Sequence, residues 1–198
     1  MTTVVVPFAG SEGKTRLDAS RSTRRDLSLA MLADVLAASV VVGRTLVVTG
    51  DQDGARLAAD AGAETVADPG GGQGAAVAAG LALAGDGQAL VVNADLPCAV
   101  PADLRALMAA IPPHGLALVE ALDGTTNALG LSGGEIFAPL YGPDSANRFR
   151  ALAVETVAVA VPNLAEDVDT LADLERLQLR CGPRTQSVLA ALAAGTAS

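Results

Sequence analysis

Aromatic side chains are almost missing from this chain of 198 residues: it has three Phe, one Tyr and no Trp. An aromatic share of 2% excludes the stacking platforms on which single-stranded nucleic acids are held. Positive charge is scarce too, with 13 Lys and Arg against 22 Asp and Glu and a net charge of −9. The basic footprint of a nucleic-acid binder is therefore absent. Any phosphate this chain handles must be met by a few concentrated cations or by a metal ion. The single His, His114, sits in the Pro112–Gly115 loop, far in sequence from every motif below, so no Ser/His/Asp or Cys/His nucleophilic arrangement is supported. The two cysteines, Cys98 and Cys181, do not form a C-x-x-C pair. Separate thiols of this kind fit small-hydrophobe roles in a reduced, cytoplasmic setting. No apolar run approaches the ~18 residues of a membrane span, and Met1–Pro7 lacks the basic region of a secretory signal.

What remains is an aliphatic protein, 51% hydrophobic and 18% charged, with the length of one domain. Strand and helix signals alternate along it. Strands are expected at Thr3–Val6, Thr45–Thr49, Glu64–Ala67, Ala89–Val92, Gly115–Ala121, Ala128–Ser132 and Thr156–Val161. Helices are expected at Thr23–Ala38, Asp53–Ala61, Gln73–Ala84, Pro101–Ala110, Ser145–Ala153, Thr170–Arg180 and Arg184–Ala194. This alternation predicts an α/β fold: one Rossmann-like domain over residues 1–194, with a mostly parallel sheet covered by helices on both faces and a frayed tail at 195–198.

Asp95-Leu96-Pro97 is the most informative stretch. It directly follows the buried-strand pattern Ala89–Val92, which places Asp95 at the carboxyl edge of a strand, where open α/β sheets bind their ligands. A carboxylate at such an edge, next to phosphates, needs a cation between them, usually Mg²⁺. A second acidic pair, Asp167-Val168-Asp169, follows a later apolar segment. Two clusters at two strand ends predict one metal site drawn from Asp95, Asp167 and Asp169.

Four further segments have a functional and a purely structural reading. Gly10-Ser11-Glu12-Gly13-Lys14-Thr15-Arg16 follows the first strand. It lacks Walker A spacing, because the first Gly of that motif would fall on Phe8. It suits either another phosphate loop, with Gly10 and Gly13 for close approach and Lys14 and Arg16 for charge, or a plain turn with solvated cations. Gly70-Gly71-Gly72-Gln73-Gly74 precedes a helix, so Gly72, Gln73 and Gly74 form either an anion- and base-binding loop or a flexible connection. Thr125, Thr126 and Asn127 follow Asp123-Gly124, and suit an oxyanion site or a hairpin turn. Gly142-Pro143-Asp144-Ser145 reads as an anion pocket at a helix start or as ordinary capping.

Taken in order, these motifs resemble the guanylyltransferase family that activates 2-phospho-L-lactate or phosphoenolpyruvate in coenzyme F-420 biosynthesis. The match spans roughly residues 4–180 and is most specific where Gly142-Pro143-Asp144-Ser145 is combined with Asp167-Val168-Asp169-Thr170. The resemblance implies a nucleotidyltransferase fold and GMP transfer from GTP to a small phosphorylated acid, with release of pyrophosphate. It implies that Asp95, Asp167 and Asp169 hold Mg²⁺, and that Asp95 and Lys14 carry the chemistry. It implies that Lys14 and the Gly-rich loop hold the nucleotide and that Thr126, Gly142 and Ser145 hold the acid. Together with the residue readings above, nucleotide contacts are expected from Gly10, Gly13, Lys14, Arg16, Gly72, Gln73 and Gly74, and acceptor contacts from Thr125, Thr126, Asn127, Gly142 and Ser145. The chain departs from the family at two places: Pro7-Phe8 stands where a Val-Lys pair is usual, and Phe149 where a His is common. The alternatives are a cytidylyl- or molybdopterin-nucleotide transferase on the same scaffold, or a nucleotide-binding module without catalysis. The oligomeric state is left open, a homodimer included.

Overall fold

The branched and aliphatic runs form the strands at the centre of the molecule. The computed structural model describes residues 2–10, 17–152 and 155–195. Its strands are β1 (Thr3–Pro7), β2 (Arg44–Thr49), β3 (Glu64–Ala67), β4 (Ala89–Val92), β5 (Gly115–Glu120), β6 (Thr126–Leu131) and β7 (Glu155–Ala158). Its helices are α1 (Arg21–Ser39), α2 (Gln52–Asp60), α3 (Gln73–Ala82), α4 (Pro101–Ala109), α5 (Ser145–Arg150), α6 (Pro162–Ala165), α7 (Leu171–Leu177) and α8 (Pro183–Gly195).

The strands make one seven-stranded sheet in the order β3-β2-β1-β4-β6-β5-β7. Only β6, among the described strands, runs against its neighbours; it pairs antiparallel with both β4 and β5. The chain moves outward from β1 to β2 and β3, then returns through α3 to β4 on the other side of β1. That reversal opens a crevice at the carboxyl ends of β1 and β4, where sheets of this kind bind ligands. Because β6 is reversed, its first residues lie beside the end of β4: Val92 pairs with Ala128, and the Asn93 N–H donates to the Asn127 carbonyl at 3.1 Å. Thr126 and Asn127 thereby reach the same edge as Asp95.

Alternation along the strands divides the core. Val4, Val6, Leu90 and Val92 pack against Leu32, Val35 and Leu36 of α1 and Leu104 and Leu107 of α4. Val5 and Val91 face the opposite layer, against Ala76, Val77 and Leu81 of α3 and Phe149 of α5. Gly80 lets α3 sit this close, since a Cβ there would lie 2.4 Å from Val5 Cγ1. A third cluster joins Leu27 and Met31 of α1 to Val168 and to Leu174 and Leu177 of α7. The buried Asp34 carboxylate of α1 accepts from the backbone N–H groups of Arg184 (3.0 Å) and Thr185 (2.9 Å), capping α8 from a distant part of the chain.

The expected α/β architecture is present, with differences of extent in several elements. Strand β7 ends at Ala158, because Val161 serves as the N-cap residue of α6, a four-residue helix opened by Pro162 that the sequence reading missed. Helix α5 ends at Arg150 and α7 at Leu177. Helix α8 continues to Gly195, and residues 196–198 lie outside the described residues. No helix among the described residues is long and apolar enough to cross a membrane.

Candidate active site at the strand edge

Val168 is fully buried in the third cluster, and in extended backbone its two neighbours point the opposite way. Burying that one valine therefore turns Asp167 and Asp169 together toward the sheet edge. The Val168 N–H donates to the Asp95 carbonyl at 3.1 Å, which pins the two acidic segments side by side. Glu166, just upstream, is held by Arg176 at 2.5 Å and Arg180 at 3.1 Å. Downstream, Thr170 caps α7 in a reciprocal box. Its hydroxyl accepts from the Asp173 N–H (3.3 Å), and Asp173 Oδ2 accepts from the Thr170 N–H (2.9 Å). Thr170 is thus the cap of this helix.

Carboxylate oxygens of Asp95, Asp167 and Asp169 lie within 4.8 Å of one another, all three half-buried. Like charges this close repel and disfavour joint ionisation. Burial first, and then the Asp95 carboxylate, push the Asp167 carboxyl above its ordinary value, while a hydrogen bond from Asn127 acts the other way. That bond runs from Asn127 Nδ2 to Asp167 Oδ1 at 3.2 Å. Three hard oxygen donors that destabilise one another when bare suit a divalent cation such as Mg²⁺, so the donor set fits the metal the sequence calls for.

Two cavities meet at the cluster. The first, of about 310 Å³, lies in the crevice between β1 and β4; Gly10, Gly72 and Gln73 line it together with Asp95 and Asp169. The second, of about 530 Å³, is lined by Thr125, Thr126, Asn127, Gly142 and Ser145 with the same two aspartates and Asp167. All five expected acceptor residues thus share one wall. The buried Ser145 hydroxyl donates to Thr126 Oγ1 at 3.1 Å, and Gly142 turns the chain at φ 111° ahead of Asp144 at φ 59°. A non-glycine residue at positive φ stores strain of a kind that concentrates at functional sites.

Gln73 and Asn93 also line both cavities. Gln73 Nε2 donates to Asn93 Oδ1 at 2.7 Å, and Asn93 Nδ2 reaches the Thr126 carbonyl at 3.3 Å. This amide relay ties the glycine loop to the acceptor wall. Sequence reading did not single out Asn93; its position two residues before Asp95 was the available signal. Gly74 stands apart from the first cavity and packs on Pro139, which a Cβ would approach to 2.7 Å.

The two departures from the family are explained by packing. Phe8 fits over Gly54, whose Cβ would lie 2.6 Å from the ring, and its other side lines the first cavity. Phe149 is fully buried, stacked edge-on against Tyr141 with ring centres 5.5 Å apart, and does not line the acceptor cavity. Among the described residues, no Lys, Arg or His lines either cavity. Gly13, Lys14 and Arg16 lie outside the described residues. Lys14 is also the only lysine in the chain.

Comparison with known proteins agrees with this fold. The family model for a MobA-like NTP transferase domain matches residues 24–141. The chain is 39% identical to the phosphoenolpyruvate guanylyltransferase of Streptomyces coelicolor, over 96% of each protein. It is 40% identical to that of Streptomyces avermitilis, over 96% of this chain and 94% of the relative. The fold is similar to that of a protein from Desulfovibrio desulfuricans G20 named for the nucleotide-diphospho-sugar transferases. That match has a TM-score of 0.76 at 16% identity, over 98% of this chain and 95% of the other. It is similar also to a nucleotidyl transferase from Methanothermobacter thermautotroptrophicus, with a TM-score of 0.62 at 16% identity, over 89% and 95% of the two chains.

Proposed function

The chain belongs to the MobA-like NTP transferase family, among the relatives of the phosphoenolpyruvate guanylyltransferases, and from that premise we propose that it transfers GMP from GTP to the phosphate of a small phosphorylated carboxylic acid. One observation carries this reading. The two cavities share Asp95, Asp169, Gln73 and Asn93, so a nucleotide in one and an acid in the other would bring their phosphates together at the carboxylate cluster.

In this scheme GTP lies in the first cavity, with its phosphates between the Gly10 turn and the start of α3, where unpaired backbone N–H groups favour anions. Lys14, Arg16 and Gly13 contribute contacts from the segment after β1. The acid lies in the second cavity, where Thr125, Thr126, Asn127, Gly142 and Ser145 offer hydroxyl, amide and backbone groups to its carboxylate and phosphate. An oxygen of the acceptor phosphate attacks the α-phosphorus of GTP. The bond from the α-phosphorus to the bridging oxygen breaks, and pyrophosphate leaves with that oxygen.

The attacking phosphate is already anionic at neutral pH, so no strong general base is required. Asp95, Asp167 and Asp169 would hold Mg²⁺, which supplies positive charge where phosphates and carboxylates meet. The protein's own part is positioning and electrostatic compensation, which dominate this class of reaction. Asn127 orients Asp167, and the Gln73–Asn93 relay fixes the wall between the two substrates. Phosphoenolpyruvate is the acceptor we favour, and a place in coenzyme F-420 biosynthesis follows from that choice. Pyrophosphate release with GTP and Mg²⁺, screened against phosphoenolpyruvate, 2-phospho-L-lactate and 3-phosphoglycerate, tests the proposal. Release with one three-carbon acid supports it; release only with a sugar phosphate or a pterin contradicts it.

A further inference from the structure

Ser28 lies on α1 between Leu27 and Met31 and is only 3% exposed. A mid-helix serine commonly satisfies its hydroxyl by bonding back to the carbonyl one turn earlier. Ser28 does not: its buried Oγ has no hydrogen-bond partner among the described residues. Leaving such a group unsatisfied costs free energy, so each native case calls for an explanation. Here Ser28 is among the residues that line the first cavity, together with Asp95 and Asp169. Ser28 is the only hydroxyl-bearing residue among the described residues that line it; the rest of that wall is apolar, amide or acidic.

The position along the helix narrows the ligand group. Leu27 and Met31, on either side of Ser28 in the helix, pack in one cluster with Val168 and Cys98, the neighbours in sequence of Asp169 and of the Asp95–Pro97 turn. Ser28 therefore stands on the carboxylate side of the crevice. A hydroxyl there, beside acidic side chains that accept but do not donate when ionised, has a proton to give to an anionic oxygen.

We propose that the Ser28 hydroxyl donates a hydrogen bond to the polyphosphate of the bound nucleoside triphosphate, making it a binding residue for the donor substrate that no sequence motif marks. The proposal rests on the guanylyl-transfer reading above. With positive charge absent from the described lining, a neutral donor is one of the few groups on this wall that can meet phosphate oxygen without a cation.

The test compares wild type with Ser28→Ala by calorimetric titration with GTP and with guanosine, both in Mg²⁺, and by thermal unfolding without ligand. A hydrogen bond to a charged acceptor predicts roughly tenfold or greater weakening of GTP binding in the variant. Guanosine, which has no phosphate, should bind both proteins alike. Melting of the ligand-free variant should be unchanged or higher, because a buried unsatisfied hydroxyl has been removed. Equal GTP affinity in the two proteins overturns the proposal, as does equal weakening of GTP and guanosine. A drop in ligand-free melting temperature with GTP binding otherwise intact also overturns it, by showing that the hydroxyl serves the fold. Failure of wild type to bind GTP would overturn the guanylyl-transfer reading itself, a distinct result.

Discussion

The backbone N–H of Val168 donates to the carbonyl oxygen of Asp95 at 3.1 Å. This one bond joins the end of β4 to the segment before α7, and the two side chains flanking Val168 complete a carboxylate cluster with Asp95. Truncating the fully buried Val168 to Ala should cost roughly 1–3 kcal/mol of stability through the cavity it leaves. It should also weaken divalent-metal binding, because the plug that orients both aspartates has been cut back. Denaturant unfolding with and without Mg²⁺ measures both effects; loss of stability with undiminished metal binding would separate the plug from the site.

Replacing Asp95 by Asn should abolish turnover and leave the circular dichroism spectrum unchanged. In the absence of metal the variant should be at least as stable as wild type, since a like charge has been removed from a cluster within 4.8 Å. Mg²⁺ should raise the melting temperature of wild type and not of the variant. Wild-type turnover in excess chelator would contradict the metal assignment.

The pH dependence of the metal-free protein follows from Asp167, whose carboxyl is raised above its ordinary value by burial and then by Asp95. A carboxyl with a higher pKa in the folded than in the unfolded state binds its proton more tightly when folded. Stability therefore falls as pH rises through the interval between the two values, and the loss is complete above the raised one. Asp167→Asn lacks this titration. Its melting temperature should gain on that of wild type as pH rises through that interval, and parallel curves would count against the shift.

Lys14 is the chain's only lysine, so amine-reactive labelling has a single side-chain target. If it contacts nucleotide phosphates, GTP with Mg²⁺ should protect it, and Lys14→Ala should weaken GTP binding and slow transfer. Unprotected labelling, with turnover unchanged in the variant, would leave Lys14 a solvated turn residue.

Ser145→Ala removes the hydroxyl that donates to Thr126 Oγ1 at 3.1 Å in the acceptor cavity. The KM for the acid should rise several-fold, with the KM for GTP little changed. Impairment of GTP alone would reverse the assignment of the two cavities.

Much of this was legible where local pattern and tertiary role agree. Val4–Val6 and Ala89–Val92 read as buried strands because both of their faces are covered. The same pattern placed Asp95 at a strand end, but Asp167 and Asp169 follow the short helix α6 rather than a strand, and the bond from the Val168 N–H to the Asp95 carbonyl is what brings them to that edge. Other features depend on partners that periodicity does not reveal. Asp34 looks like a polar interruption of α1 until Arg184 and Thr185 arrive from the far end of the chain. Phe149 follows an acceptor motif yet turns into the core, because α5 presents that position to Tyr141 rather than to the cavity. Asn93 acquires its place only when the reversed strand β6 brings Thr126 beside it.

The most direct measurement of the central claim is phosphorus NMR of the full chain with GTP, Mg²⁺ and phosphoenolpyruvate. The account predicts one pyrophosphate released for each new unsymmetrical diphosphate, seen as a pair of coupled resonances joining GMP to the acid. Release of orthophosphate without a mixed diphosphate, or no turnover with any three-carbon phosphorylated acid, would contradict it.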